Sequence, residues 1–236
     1  MSEAQQVQAI LEKMDVIRVS QVKPGDSKFL VGRICSTEFP ITAPVSNNPC
    51  VYYNVVCEHY VQRETQDAEG NQQVSWEWEH LFSEEKQANF LLADPPGQPV
   101  FVPAQSCSLK VYVKFDAGGE EGGGGFMKVD PSDNNPHLRA LLQRHGVNCD
   151  SYFGIFAEPR IRYREGTFSV NEMIAVLGTA SQGSMNGIPT MILNPCQTSA
   201  LNEKYFEDNN WSGTDIKSWN ALTSSNSLIP LMTQDI

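Results

Sequence analysis

The sequence predicts a mainly β protein of the α+β kind: an antiparallel sheet or small, partly closed β-barrel, with one or two short helices and an extended C-terminal tail. Three observations carry this expectation. Between Phe29 and Phe115, six segments rich in β-branched and aromatic residues follow one another, each ended by turn or loop chemistry. Helical periodicity is confined to the N-terminus and to one short stretch, residues 137–146. The 236 residues, 40% hydrophobic and 19% charged, can bury a core without disulfide or metal support.

The elements follow in order. Val7, Ile10, Leu11 and Met14 recur at helical spacing, and Ser2 with Gln5 makes a capping box. Residues 1–27 are therefore expected to form an amphipathic helix and a linker, the helix packing on the body of the protein or docking on a partner. Lys23-Pro24-Gly25-Asp26 reads as a turn. The strand candidates are FLVGRIC, VYYNVVCEHYVQRE, VSWEWEHLF, NFLLAD, PVFVP and SLKVYVKF. Thr65 to Gln73 separates the second from the third as a polar hairpin loop, and Asp94-Pro95-Pro96-Gly97 turns the fourth into the fifth. In the third, Trp76 and Trp78 alternate with Glu77 and Glu79, which predicts buried indoles opposite solvent-facing charge.

Residues 118–125, GGEEGGGG, are expected to be a flexible loop without packing side chains; a phosphate-cradling reading fails because no lysine-serine or lysine-threonine pair follows the glycines and two glutamates would repel phosphate. Asn135-Pro136 opens a short helix with Leu138, Leu141 and Leu142 as its apolar stripe and Gly146 as its stop. Two further strand-rich runs, joined at Glu165-Gly166, return to the same sheet and complete one domain over residues 28–180. From Gly183 onward Ser, Asn, Thr and Pro increase, so residues 181–236 are expected to be an extended, largely irregular tail. Its anchors would be Tyr205, Phe206, Trp211, Trp219, Leu228, Ile229 and Leu231, docked on the chain's own domain or on a partner.

Composition narrows the function classes. A formal charge of −11 and thinly scattered basic residues exclude a phosphate-neutralising face, so no nucleic-acid partner is expected. The cluster Arg160, Arg162 and Arg164 reads as a solvated strand face. No apolar run is long enough to span a bilayer, and the N-terminus lacks the pattern of a secretory signal. Six widely spaced cysteines without a CxxC pair suit free thiols in a reducing compartment, and the expected location is cytoplasmic.

Chemistry offers few footholds. Cys57, His59 and His80 flank one hairpin loop and are the weak candidates for a zinc site or a thiol-dependent enzyme, although CxxC and HxxxH spacings are both missing. A thiol within an alternating apolar strand more often serves as a small hydrophobe. GxSxG and HExxH are absent as well, so no catalytic residue and no cofactor is expected.

The order of features does carry a resemblance. Gly32-Arg33, the loop from Pro44 to Cys50, Val51-Tyr52-Tyr53, a tryptophan-bearing strand and Phe90-Leu91-Leu92 with Asp94 and Gly97 look like the first part of a GIDE-type domain. Leu138 to Leu142, Gly146, Glu158, Ile161, Glu165-Gly166 and Val176-Leu177-Gly178 resemble its closing part. This domain, also called the BAM or beside-a-membrane domain, occurs in mitochondrial and chloroplast E3 ubiquitin ligases. The resemblance spans roughly Phe29 to Thr179 and implies a protein-binding module. It does not extend to ligase activity: after Gly178 only Cys196 could serve as a RING ligand, and no membrane span is present. The sequence thus leads to a non-catalytic interaction or scaffold subunit of a larger assembly, its partners other proteins. The alternatives are the Cys57, His59 and His80 enzyme or zinc protein, and a membrane-peripheral adaptor on an organelle surface or within a plastid or mitochondrial complex.

Overall fold

The computed structural model describes residues 16–35, 40–66, 72–106, 110–112, 127–128, 135–148 and 161–202, with backbone alone for 16, 106, 110–112, 127–128 and 195–202. The strands in chain order are β1 (Val16–Arg18), β2 (Ser27–Cys35), β3 (Ile41–Thr42), β4 (Pro49–Gln66), β5 (Gln72–Gln87), β6 (Phe90–Ala93), β7 (Val100–Val102), β8 (Lys110–Tyr112), β9 (Met127–Lys128), β10 (Ile161–Ser169), β11 (Met173–Met185) and β12 (Ile188–Asn202). Helix α1 (Pro136–Arg144) precedes β10, and single 3-10 turns follow β1 and β7. The mainly β class, a closing sheet and a short helix are as the periodicity predicts.

The chain divides into two compact units, each assembled from separate segments: Met1–Pro40, Ala88–Lys114 and Phe168–Ile236 form the first, Ile41–Gln87 and Phe115–Thr167 the second. The continuous domain expected over 28–180 is therefore shared between two units, because long-range pairing decides membership and chain order does not. The first unit takes its shape from a ring. β2 pairs antiparallel with β6, β6 with β7, β11 with β12 and β11 with β2, while β7 and β12 meet in parallel. Counting these five strands along the chain, the ring runs 1-2-3-5-4 and back to 1, the Greek-key order of an OB-type barrel.

β2 serves two neighbours in succession, lying along β11 from Ser27 to Arg33 and along β6 from Arg33 to Cys35. Gly32 sits at this handover, where a Cβ would stand 2.9 Å from Val19 Cγ2 and 3.2 Å from the Ala93 carbonyl. The buried side chains of the ring include Phe29, Leu30, Val31, Ile34, Phe90, Leu92, Val100, Val102, Ile174, Val176 and Leu193. The Asp94-to-Gly97 turn is where expected, and Asp94 ties it down: its carboxylate accepts from Arg18 Nη1 at 3.0 Å and from Ser20 Oγ at 2.6 Å. Two expectations change here. Residues 16–18, placed in a linker, form β1 and pair in parallel with β2. Residues 181–202, placed in an irregular tail, belong to the β11–β12 hairpin. Its turn, Asn186-Gly187, has φ of 52° and 79°, the left-handed pair that a two-residue hairpin needs.

In the second unit β4 is the hub, bonded to β3, β5 and β10. Helix α1 begins as its caps dictate: Asn135 Oδ1 accepts from the amides of His137 and Leu138 at 3.0 and 3.2 Å, with Pro136 in the first turn. It ends before Gly146, at φ 73°. Its stripe of Leu138, Leu141 and Leu142 packs with Val45, Val55, Cys57, Phe82, Ile161 and Tyr163 into one core. Glu165 is not a turn residue. It lies buried within β10 and accepts the Val45 and Ser46 amides at 2.8 and 2.9 Å. The turn expected there is at Val170-Asn171, where Asn171 takes φ 71°.

The expected N-terminal helix with Val7, Ile10, Leu11 and Met14, the 118–125 loop, and the anchors Tyr205, Phe206, Trp211, Trp219, Leu228, Ile229 and Leu231 lie outside the described residues.

Candidate functional site

β4 and β5 are the longest strands among the described residues, and their pairing runs from Tyr52 opposite Gln87 to Gln66 opposite Gln72. Valines and aromatics over Val51–Val56 account for the buried start of β4. Beyond Val61 on β4, and before Glu77 on β5, the ribbon is exposed residue after residue. One irregularity organises the whole hairpin. Cys57 lies opposite Phe82, but Glu58 lies opposite His80, so Leu81 is an extra residue on β5.

That bulge changes which residues of β5 share a face. Phe82 joins Cys57 in the core. By plain alternation Trp78 and Trp76 would share the face of Phe82 and be buried, as the sequence predicts. The extra residue turns them to the opposite face, alongside Glu58, Tyr60, Gln62 and Glu64. Trp76 is accordingly 39% exposed, and Val74 beyond it 55%. Tyr60 stacks against Trp76 at 5.4 Å between ring centroids and leans on Trp78 at 4.9 Å, which joins the three rings into one aromatic surface.

Arg162 of β10 completes the inner end of that surface. Its guanidinium carbon stands 4.5 Å above the Trp78 ring, and its Nε donates to Glu58 Oε2 at 2.6 Å. The arginine expected on a solvated face is thus half-buried and held by an indole and a carboxylate. The other face of the ribbon is an ionic ladder, in which Arg63 pairs with both Glu77 and Glu79.

A second polar node anchors α1 to the hairpin. Glu84 accepts from the Tyr53 hydroxyl, from Arg144 Nη2 at 2.7 and 2.8 Å, and meets His145 Nε2 at 2.8 Å. His145 also stacks flat on Phe82, with centroids 3.9 Å apart. Burial works to raise the Glu84 pKa, but the hydrogen bonds from Tyr53, Arg144 and His145 and the arginine charge outweigh it and bring the carboxyl down from 4.5 to about 2. Burial, and then the bond to Glu84, pushes the Tyr53 phenol up.

The weak metal candidates do not converge. Cys57 points into the core, and burial, with the nearby Glu58 charge, pushes its thiol up to about 12. His59 shares a face with Glu79, 3.9 Å away, whereas His80 lies on the other face and bonds Ser83 Oγ at 2.7 Å. Among the described residues no group of three or more His, Cys, Asp or Glu side chains is placed to hold a metal ion. The thiolate, the nucleophilic form, is disfavoured at Cys50 as well, where burial and the Glu165 charge raise the thiol to about 12.

Sequence reasoning noted Trp76 and Trp78 but assigned them to the interior, and it left Tyr60 unremarked. The alternating WEWE run was the available signal; the bulge that decides its outcome is not local to it. No family model, no curated protein and no solved structure matches the chain. No helix among the described residues is long and apolar enough to cross a membrane.

Proposed function

We propose that the chain is a non-catalytic protein-interaction or scaffold subunit, and that it engages its partner through the aromatic face of the β4–β5 hairpin. The observation that carries this reading is the exposure of Val74 and Trp76 beside Tyr60 on a ribbon whose described outer residues, 62–66 and 72–76, are all exposed. Aromatic side chains offer large contact area at low conformational cost, and such clusters are where binding energy concentrates. The resemblance to GIDE-type domains supports a binding role. Free thiols at Cys35, Cys50 and Cys57 suit the reducing, cytoplasmic setting. The membrane-peripheral alternative rests on that resemblance alone, and a net charge of −11 opposes attraction to anionic lipid.

The test is cross-linking mass spectrometry from native extract with the wild type and with the double variant Val74→Ser, Trp76→Ser. Cross-links from the hairpin to a partner should disappear in the variant while its melting temperature stays within about 2 °C, as befits exposed positions. Retention of those cross-links at wild-type abundance would remove the hairpin from the reading.

A further inference from the structure

The turn of the β11–β12 hairpin carries a chemistry of its own. Three asparagines among the described residues hold left-handed backbone at exposed positions: Asn47, Asn171 and Asn186. They differ in the residue that follows, which is Asn48, Glu172 and Gly187 respectively. The main-chain nitrogen of that next residue can attack the asparagine's side-chain carbonyl carbon through a five-membered ring, and a Cβ on it obstructs the approach. Gly187 has no Cβ, and Asn186 is the only asparagine of the chain followed by glycine. Residues 186–189 are all exposed, and the tip of a hairpin opens locally more readily than a core strand, so the attack geometry is reached without unfolding the barrel ring.

The same turn sets a register on which the barrel ring depends. It places Met185 opposite Ile188 and, from there, Ser181 opposite Ile192 and Thr179 opposite Asn194. Beyond Asn194 the ladder breaks: residues 195–198 of β12 stand against Gly178 alone before Ser199 meets Leu177. Residues 188–194 therefore take their register from the turn and from Leu193, which is buried opposite Ala180. This stretch is also where the barrel ring closes, since β12 meets β7 at Met191 with Val100 and at Ile192 with Phe101.

We propose that Asn186 is a site of spontaneous deamidation and isomerisation, and that its isoaspartyl product loosens the seam between β12 and β7. The Gly187 amide nitrogen bonds to Asn186 Cγ and gives up its proton, while the side-chain nitrogen leaves as ammonia; the product is a cyclic succinimide. Water then opens the imide at either carbonyl. Opening at Cγ leaves aspartate in an unchanged backbone. Opening at the former main-chain carbonyl leaves isoaspartate, in which the chain runs through Cβ and Cγ and the old main-chain carbonyl becomes a free carboxylate. Water is consumed, ammonia is released, and neither oxidant nor reductant takes part. Aspartate suits this turn as asparagine does. Isoaspartate lengthens the main chain by a carbon, about 1.5 Å, in a two-residue turn whose left-handed pair then no longer sets Met185 against Ile188. Either product brings the hairpin its first carboxylate, because residues 173–202 hold no Asp, Glu, Lys, Arg or His.

The experiment ages the full chain at mildly alkaline pH, below its melting temperature, and follows each asparagine by peptide mapping that separates aspartyl from isoaspartyl forms. Asn186 should convert about tenfold faster than Asn47 and Asn171, or more. Hydrogen exchange on the purified isoaspartyl form should then show the amides of Val100–Val102, Met191 and Ile192 exchanging about tenfold faster than in fresh protein. Two variants separate the causes. Asn186→Gly, whose Gly-Gly pair suits the same turn, has no side chain to cyclise and should age without change in exchange. Fresh Asn186→Asp adds the charge without the extra carbon and should exchange like the fresh wild type. Conversion of Asn186 no faster than that of Asn47 and Asn171 overturns the proposal. So does equal exchange in the fresh protein and the isoaspartyl form, or the same acceleration in fresh Asn186→Asp or aged Asn186→Gly.

Discussion

Replacing Glu84 with glutamine tests the node that joins α1 to the β4–β5 hairpin. In the folded protein this carboxylate receives Tyr53, Arg144 and His145, and its pKa lies at about 2 instead of 4.5. Each pKa unit corresponds to about 1.4 kcal/mol, so the shift has a ceiling of about 3 kcal/mol of stability. The side chain keeps 21% exposure, and solvent screening brings the expected effect to about 1–2 kcal/mol. Its pH course has a definite sign. The folded pKa is depressed, so the stabilisation is complete above about 4.5 and is lost as pH falls towards about 2. Urea unfolding of wild type and Glu84→Gln, followed by far-ultraviolet circular dichroism between pH 7 and pH 3, should show a difference that is constant down to about pH 5 and then shrinks. A difference that is absent at pH 7, or as large at pH 3 as at pH 7, would refute the assignment of this stability to the ionised carboxylate.

Two further outcomes follow from buried groups. Glu165→Ala leaves the Val45 and Ser46 amides without their acceptor, and should cost about 2–3 kcal/mol in urea unfolding, whereas Glu165→Gln, which can still satisfy one amide, should cost less. Cys50 and Cys57, raised from 9.0 to about 12, should hold about a thousandfold less thiolate at pH 8 than ordinary thiols and resist iodoacetamide until the chain is unfolded. Rapid alkylation of either in the native protein, read by peptide mass mapping, would contradict their placement in the core.

Much of the local structure was legible because its causes are local. Asn135, Pro136 and Gly146 bracket α1 through hydrogen bonds and backbone angles that span a few residues. Lys23 to Asp26 turns where expected, with the Lys23 amide bonded to Asp26 Oδ2 at 2.8 Å and Gly25 at φ 91°. Asn186-Gly187 carried an equally local signal for the β11–β12 hairpin, but the Ser- and Pro-rich composition around it obscured the alternation. Glu165-Gly166 is the converse: a turn-like pair that a strand accommodates, because the glutamate's acceptors are used by amides some 120 residues earlier in the chain.

By itself the sequence determined the β-rich class, most strand positions, the helix and its ends, and the supply of aromatic and acidic residues along one hairpin. Those features follow from side-chain shape and backbone preference at each residue. Only the tertiary structure decided how β2 passes from β11 to β6 to close a ring, and on which side of the hairpin the tryptophans stand. The first depends on pairings between strands more than 130 residues apart, such as Val31 with Ala175. The second depends on one unpaired residue, Leu81, which exchanges the two faces of everything beyond it.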